Sequence, residues 1–124
     1  MDIAIYSITD TDIINSIVDA KQRGVNVRII TDATQSASKS QNAAFDILRN
    51  AGIIIKINKH SGLMHLKVTI VDKQIVTTGS FNYTSAAENI NDEVFVVINN
   101  AEIAADFENQ FETMWNNTKG FIEY

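Results

Sequence analysis

The chain contains no cysteine and no proline, and only five glycines among its 124 residues. The missing thiols exclude disulfides and thiolate metal sites and leave the redox compartment undetermined. The missing proline implies little beyond regular connections. No segment approaches the uninterrupted apolar length of a membrane span. No basic stretch followed by an apolar one opens the chain, so no signal peptide is expected within it, and the expected location is cytoplasmic only if the chain is complete. Basic residues are also scarce: ten Lys and Arg face fifteen Asp and Glu, for a net charge of −5. Taken whole, that balance argues against a nucleic-acid partner.

The distribution of charge argues the other way. Residues 21–73 carry nine Lys and Arg against three acids, whereas residues 1–20 carry four acids and no base. A local cationic surface that includes Lys56, Lys59, Lys67 and Lys73 can attract phosphates on an acidic body, because exposed charges farther apart than about 8–10 Å are largely screened. At this length a single domain with one core is expected.

The positive segment leads into the most informative stretch, Met64 to Glu93. It holds His65, Lys67 and Asp72 in the spacing H-x-K-x4-D, then Gly79-Ser80-Phe81-Asn82, then Glu93. Leu66 to Val71 is rich in β-branched and aliphatic residues and reads as a strand. His65 and Lys67 therefore project side by side from one face at its mouth. An imidazole beside an ammonium is an unfavourable pair unless an anion is expected, and a phosphate meets that need. Lys67 would hold its oxygens and the Asn82 amide would donate a further hydrogen bond. Gly79 allows the close backbone approach or unusual φ of a phosphate loop.

Around this stretch the pattern is α/β. Ile3 to Ser7 reads as a buried strand, and its abrupt start suggests a domain cut from something longer. A helix capped within Thr9–Asp12 runs to Arg23, followed by a strand from Val25 to Ile30; this succession implies parallel pairing with a right-handed crossover. Thr31 to Ser40 is a polar loop at the carboxyl edge, where open parallel sheets bind ligands. A helix from about Gln41 to Ala51, capped by Ser40, leads to a strand at Ile53–Ile57. The loop Lys59-His60-Ser61-Gly62 delivers Lys59 and His60 beside the motif as candidate substrate contacts. The motif strand turns at Asp72–Gln74 and returns as a hairpin. A short helix at Thr84–Asn89, an apolar strand at Glu93–Ile98 and a core-packing helix from about Ala101 to Asn116 complete the chain. The expected fold is a mixed, largely parallel sheet flanked by helices on both faces, with the motif hairpin and the Glu93–Ile98 strand at or near its centre.

Two site chemistries fit the residues poorly. Ser80, His65 and Glu93 are the right types for a serine hydrolase triad, but T-G-S-F-N lacks the G-x-S-x-G elbow, and Lys67 and Asn82 are left without a task. A metal site drawn from His60, His65, Asp72, Asp92 and Glu93 matches no usual spacing, and Lys67 would repel the cation. No metal or other cofactor is expected.

The H-x-K-x4-D and G-S-x-N pattern resembles the HKD signature of the phospholipase D superfamily, most closely its small single-motif homodimeric nucleases, and the resemblance runs through most of the chain. It implies a metal-independent phosphodiesterase in which one histidine attacks phosphorus and a second protonates the leaving oxygen. With one motif per chain, a homodimer must supply both. Carried over, the catalytic set is His65, Lys67, Asp72, Ser80, Asn82 and Glu93. Ser80 and Glu93 orient the histidine, and Asp72 takes a structural role near the hairpin. Nucleic acid, DNA or RNA, is the expected substrate. The alternatives are phospholipid, for which no amphipathic basic helix speaks, and a module that binds nucleic acid without cutting it.

Overall fold

The computed structural model describes residues 1–124 as one seven-stranded sheet in the order β6-β5-β4-β1-β2-β3-β7. The strands are β1 (Asp2–Ile5), β2 (Arg28–Thr31), β3 (Ile54–Asn58), β4 (Lys67–Val71), β5 (Ile75–Gly79), β6 (Phe95–Asn99) and β7 (Phe121–Glu123). The helices are α1 (Thr11–Gln22), α2 (Lys39–Asn50), α3 (Ser85–Asn89) and α4 (Ala101–Asn116). The sheet is mixed, as expected, and its parallel part is confined to β1, β2 and β3. The ladders of β4, β5, β6 and β7 are antiparallel.

Caps fix the helix starts. Asp10, Asn100 and Thr84 accept backbone N–H bonds at the heads of α1, α4 and α3. In α2 the cap is Ser38 instead of Ser40, and the helix starts two residues earlier than read. Both choices offer a hydroxyl; it is Ser38 that accepts the Gln41 N–H, at 3.2 Å, while the buried Gln41 side-chain oxygen accepts the Ile8 N–H at 2.9 Å.

Two apolar clusters hold the sheet. On one face Ile3, Ile5, Ile29 and Ile55 pack against Ile14 and Ile17 of α1 and Phe45 and Leu48 of α2. On the other, Ala4, Ile30, Val68, Ile70 and Val76 pack beneath Ala104 and Phe111 of α4. Each fully buried aliphatic or aromatic side chain contributes roughly 1.5–3 kcal/mol. The α1/α2 layer stops at β1. Beyond it, the same face of β4, β5 and β6 carries Thr69, Thr77, Phe95 and Val97: the Tyr83 hydroxyl meets Thr69, the Phe81 ring packs edge-on against Phe95, and Phe95 and Val97 stay largely exposed.

The Glu93–Ile98 run was expected at or near the centre, and it lies at the edge as β6. Its apolar residues are exposed instead of sandwiched, because neither helix layer reaches over them. At the far end of the sheet Arg28 ties β2 to its surroundings. It donates to Asp2 (2.7 Å) and Glu112 (2.6 Å) and lies over the rings of Phe111 and Trp115. The Asp2 bond chiefly raises its pKa, against burial that lowers it.

Candidate active site

β4 is a central strand, paired with β1 on one side and β5 on the other. The Tyr6 N–H to Leu66 carbonyl bond (2.9 Å) carries the β1–β4 pairing up to the motif. Lys67 is buried at the head of β4, while His65, two residues earlier, stands exposed on the same side. The Lys67 ammonium donates to the His65 carbonyl (2.9 Å) and reaches its Nε2 at 3.1 Å. For the ammonium to donate to Nε2, that nitrogen must carry the lone pair, with the ring proton on Nδ1. Burial pushes the Lys67 pKa down, and the Glu93 carboxylate partly restores it.

Tyr6 forms the wall behind both. Its ring centroid lies 4.5 Å from that of His65, tilted by 57°, and 4.8 Å from the Lys67 ammonium. Gln35 donates to its hydroxyl at 2.9 Å. The approach to the motif is fixed by Asp32, fully buried just past the end of β2. One of its oxygens accepts the Met64 N–H (2.8 Å), immediately before His65, and the other takes the Thr34 hydroxyl and the Thr34 and Gln35 N–H groups. Burial pushes this carboxyl up, but these hydrogen bonds outweigh it and hold its pKa below the ordinary value. Tyr6 and Asp32 are missing from the residues read off the sequence. The available signal was an Asp placed just after an apolar strand at the carboxyl edge of a parallel sheet.

The opposite wall comes from the end of β5. His65, Lys67, Gly79, Ser80 and Asn82 line a cleft of about 240 Å³ that contains no apolar side chain. Gly79 has φ 138°, and a Cβ there would lie 2.0 Å from the Val94 carbonyl oxygen. Both the unusual φ and the close backbone approach foreseen are present, and the backbone that approaches is that of Val94, at the head of β6. Ser80 donates to Glu93 and accepts the Val94 N–H at 3.0 Å, while Asn91 donates to the other Glu93 oxygen at 3.3 Å. Within one chain neither Ser80 nor Glu93 bonds to His65; they brace each other across the β5–β6 gap. Asn82 Oδ1 is buried with no partner, so its amide is not committed to the fold.

The remaining candidates disperse. Asp72 is at the opposite end of β4, roughly 16 Å from Lys67 at about 3.3 Å per residue. It and Lys73 form the left-handed centre of the β4–β5 turn, with φ 54° and 53°. Asp72 therefore does not join the catalytic cleft, which corrects its place in that set; a residue five positions along a strand cannot share its mouth. Lys73 sits beside it, and Lys56 donates to the Trp115 carbonyl (2.7 Å), so the expected cationic surface divides. Lys59 and His60 are exposed on the loop before the motif, with the His60 ring 5.3 Å from that of Phe121. The His, Asp and Glu side chains considered for a metal are not grouped in a way that could hold one.

Residues 1–115 match the family described as "Cardiolipin synthase, PLD-like domain". Over 116 residues the chain is 34% identical to a mitochondrial cardiolipin hydrolase of Chlamydomonas reinhardtii, covering 94% of this chain and 51% of that protein. Over 102 residues it is 40% identical to a phospholipase D of Rickettsia bellii, covering 82% and 50%. The chain thus spans about half the length of the curated relatives it matches. Among solved structures it is similar to Nuc of Salmonella typhimurium, a phospholipase D family member. That match has a TM-score of 0.91 and 38% identity, and covers 100% of this chain and 82% of that one.

Proposed function

The chain belongs to the phospholipase D superfamily, and from that premise we propose that it is a metal-independent phosphodiesterase cleaving nucleic acid in a homodimeric site. The observation that carries the reading is the wholly polar cleft in which a buried ammonium, an uncommitted amide and an exposed imidazole converge. His65 Nε2 attacks phosphorus, forming a P–N bond as the P–O bond to the leaving oxygen breaks. That oxygen takes a proton from the His65 of a second copy. Water then attacks the phosphohistidine, giving a proton to the second imidazole and returning the first to its starting state. Lys67 and Asn82 of both copies stabilise the charge on the phosphorane oxygens. Ser80 and Glu93 set the rim, and Lys59 and His60 contact the flanking strand.

The open face of β4, β5 and β6 supports the second copy. It adjoins the cleft, exposes Phe95 and Val97, and leaves Thr77 Oγ1 buried without a partner. A symmetric pairing over it faces one motif toward the other. The test is a reaction with labelled oligonucleotide in EDTA, quenched in alkaline denaturant because acid hydrolyses a P–N bond. Label on His65, stable in base, is expected from wild type and none from His65→Asn. Label on Ser80, or a strict requirement for added divalent metal, rejects the mechanism. A phospholipid substrate is the second reading, favoured by relatives named for cardiolipin hydrolysis and phospholipase D activity. Anionic phospholipid vesicles in the same assay separate the two.

A further inference from the structure

His65 walls a second cleft, of about 460 Å³, on the side of the sheet covered by α4. Its floor is Met64 and Phe121, both buried, and its sides are Leu63, Leu66 and Met114. Gln110, one turn before Met114 on α4, and His60 supply its polar groups. Leu63 is 52% exposed two residues before His65, and nothing in the packing accounts for an apolar side chain there. The cleft lies on the face opposite the open half of the sheet, so a second copy seated on that half leaves it free.

We propose that this cleft is a subsite for an unpaired nucleobase next to the scissile phosphate, which makes the site selective for single strands. The inference rests on the nuclease reading. With the phosphate against Lys67 and Asn82, a substituent on one side of it must pass His65, which is the wall shared by both clefts. The apolar floor and sides, with the exposed His60 ring standing edge-on to Phe121 at 5.3 Å, suit a base face. The Gln110 amide and His60 Nε2, left free because Nδ1 bonds the Ser61 carbonyl at 2.9 Å, suit a base edge. An acyl chain would gain nothing from either polar group. A paired base cannot turn into the cleft without leaving its partner, which gives the strand preference. The exposed Lys59, beside His60, meets the next phosphate.

The test compares kcat/KM for three substrates: a single-stranded oligonucleotide, the same strand with an abasic residue beside the cleaved bond, and methyl 4-nitrophenyl phosphate. The abasic strand is expected to be cut about tenfold less efficiently by the wild-type protein. Leu63→Asn and Met114→Ala, each checked for an unchanged melting temperature, should lower cleavage of the intact strand more than that of the small diester. They should also shrink the penalty for the abasic residue, because the two changes remove the same contact. Equal cleavage of intact and abasic strands by wild type overturns the subsite and leaves the nuclease reading standing. Cleavage of the small diester with none of either strand overturns both. Loss of vesicle hydrolysis in Leu63→Asn, with strand cleavage intact, assigns the cleft to an acyl chain and also overturns the proposal.

Discussion

β1 and β6 are built from the same kind of residue and lead opposite lives. In β1, Ile3, Ala4 and Ile5 are 1%, 2% and 0% exposed, whereas in β6, Phe95, Val96 and Val97 are 52%, 40% and 61% exposed. β1 lies between the α1/α2 layer and α4, with a strand on each side. β6 has one strand neighbour and no helix over its Phe95–Val97 face. Apolar composition records that a surface is to be covered, without saying which molecule covers it. The closed half of this sheet is satisfied within the chain. The open half, which adjoins the cleft, is the part that a second copy would complete.

The largest expected effect tests where the two halves meet. Lys67 is buried in the open half yet serves the cleft, so Lys67→Met should lower turnover by at least about 10²–10³-fold, as for one removed charge-stabilising donor. Because two copies are lost from a dimer, more is expected. The melting temperature should barely change. If it falls steeply while residual turnover stays high, Lys67 is a structural residue. Next comes the direct contrast between strands. Ile5→Ala should cost about 2–5 kcal/mol of stability through the cavity it leaves. Val97→Ala, measured by denaturant at concentrations where the chain is a monomer, should cost within about 0.5 kcal/mol. Equal losses would mean that β6 is covered by its own chain.

Asp32→Asn comes third, at about 1–3 kcal/mol, because an amide cannot accept all the bonds the carboxylate takes. Its sign with pH follows from the lowered pKa. The stabilisation is present above the ordinary Asp value and is lost as pH falls through the lower value of the folded state. The wild-type advantage over Asp32→Asn in urea titrations should therefore shrink on acidification, and an advantage that grows would contradict the assignment. The smallest effect is a shift in one titration. Burial lowers the Lys67 pKa and Glu93 raises it, so Glu93→Gln should move the Lys67 ammonium titration, followed by NMR of the isotope-labelled side chain, to lower pH. An unmoved titration would mean that Glu93 does not act on this ammonium.

Much of this was readable because local rules and tertiary packing agree. α4 runs from Ala101 to Asn116 as read, with Asn100 as cap and a stripe of Ile103, Phe107, Phe111, Met114 and Trp115 that needed one face covered. The cleft residues His65, Lys67, Ser80 and Asn82 were legible because strand alternation and a short loop place them with no long-range information. What was missed depends on partners distant in sequence. β7 is three residues long and exists only by pairing with β3. Asp32 serves the motif from 32 residues away through a backbone N–H, which leaves no mark on the sequence around His65. Asp72 does lie in the hairpin turn where its structural role was expected; only its place in the catalytic set failed, because a motif written as one line hides the length of the strand between its letters.

Gly79 has a consequence for anyone who reads the site from a saturation screen. Lining the cleft beside His65, it would score as indispensable, and every replacement would be grouped with the chemistry-dead variants. The cause would be mechanical: a methyl group there strikes the Val94 carbonyl and wedges β6 away from β5, displacing Ser80 and Glu93 together. Position 79 therefore reports on the spacing of a joint. Its intolerance would persist under selection for any substrate, whereas tolerance at the true contact positions should change with the molecule being cut.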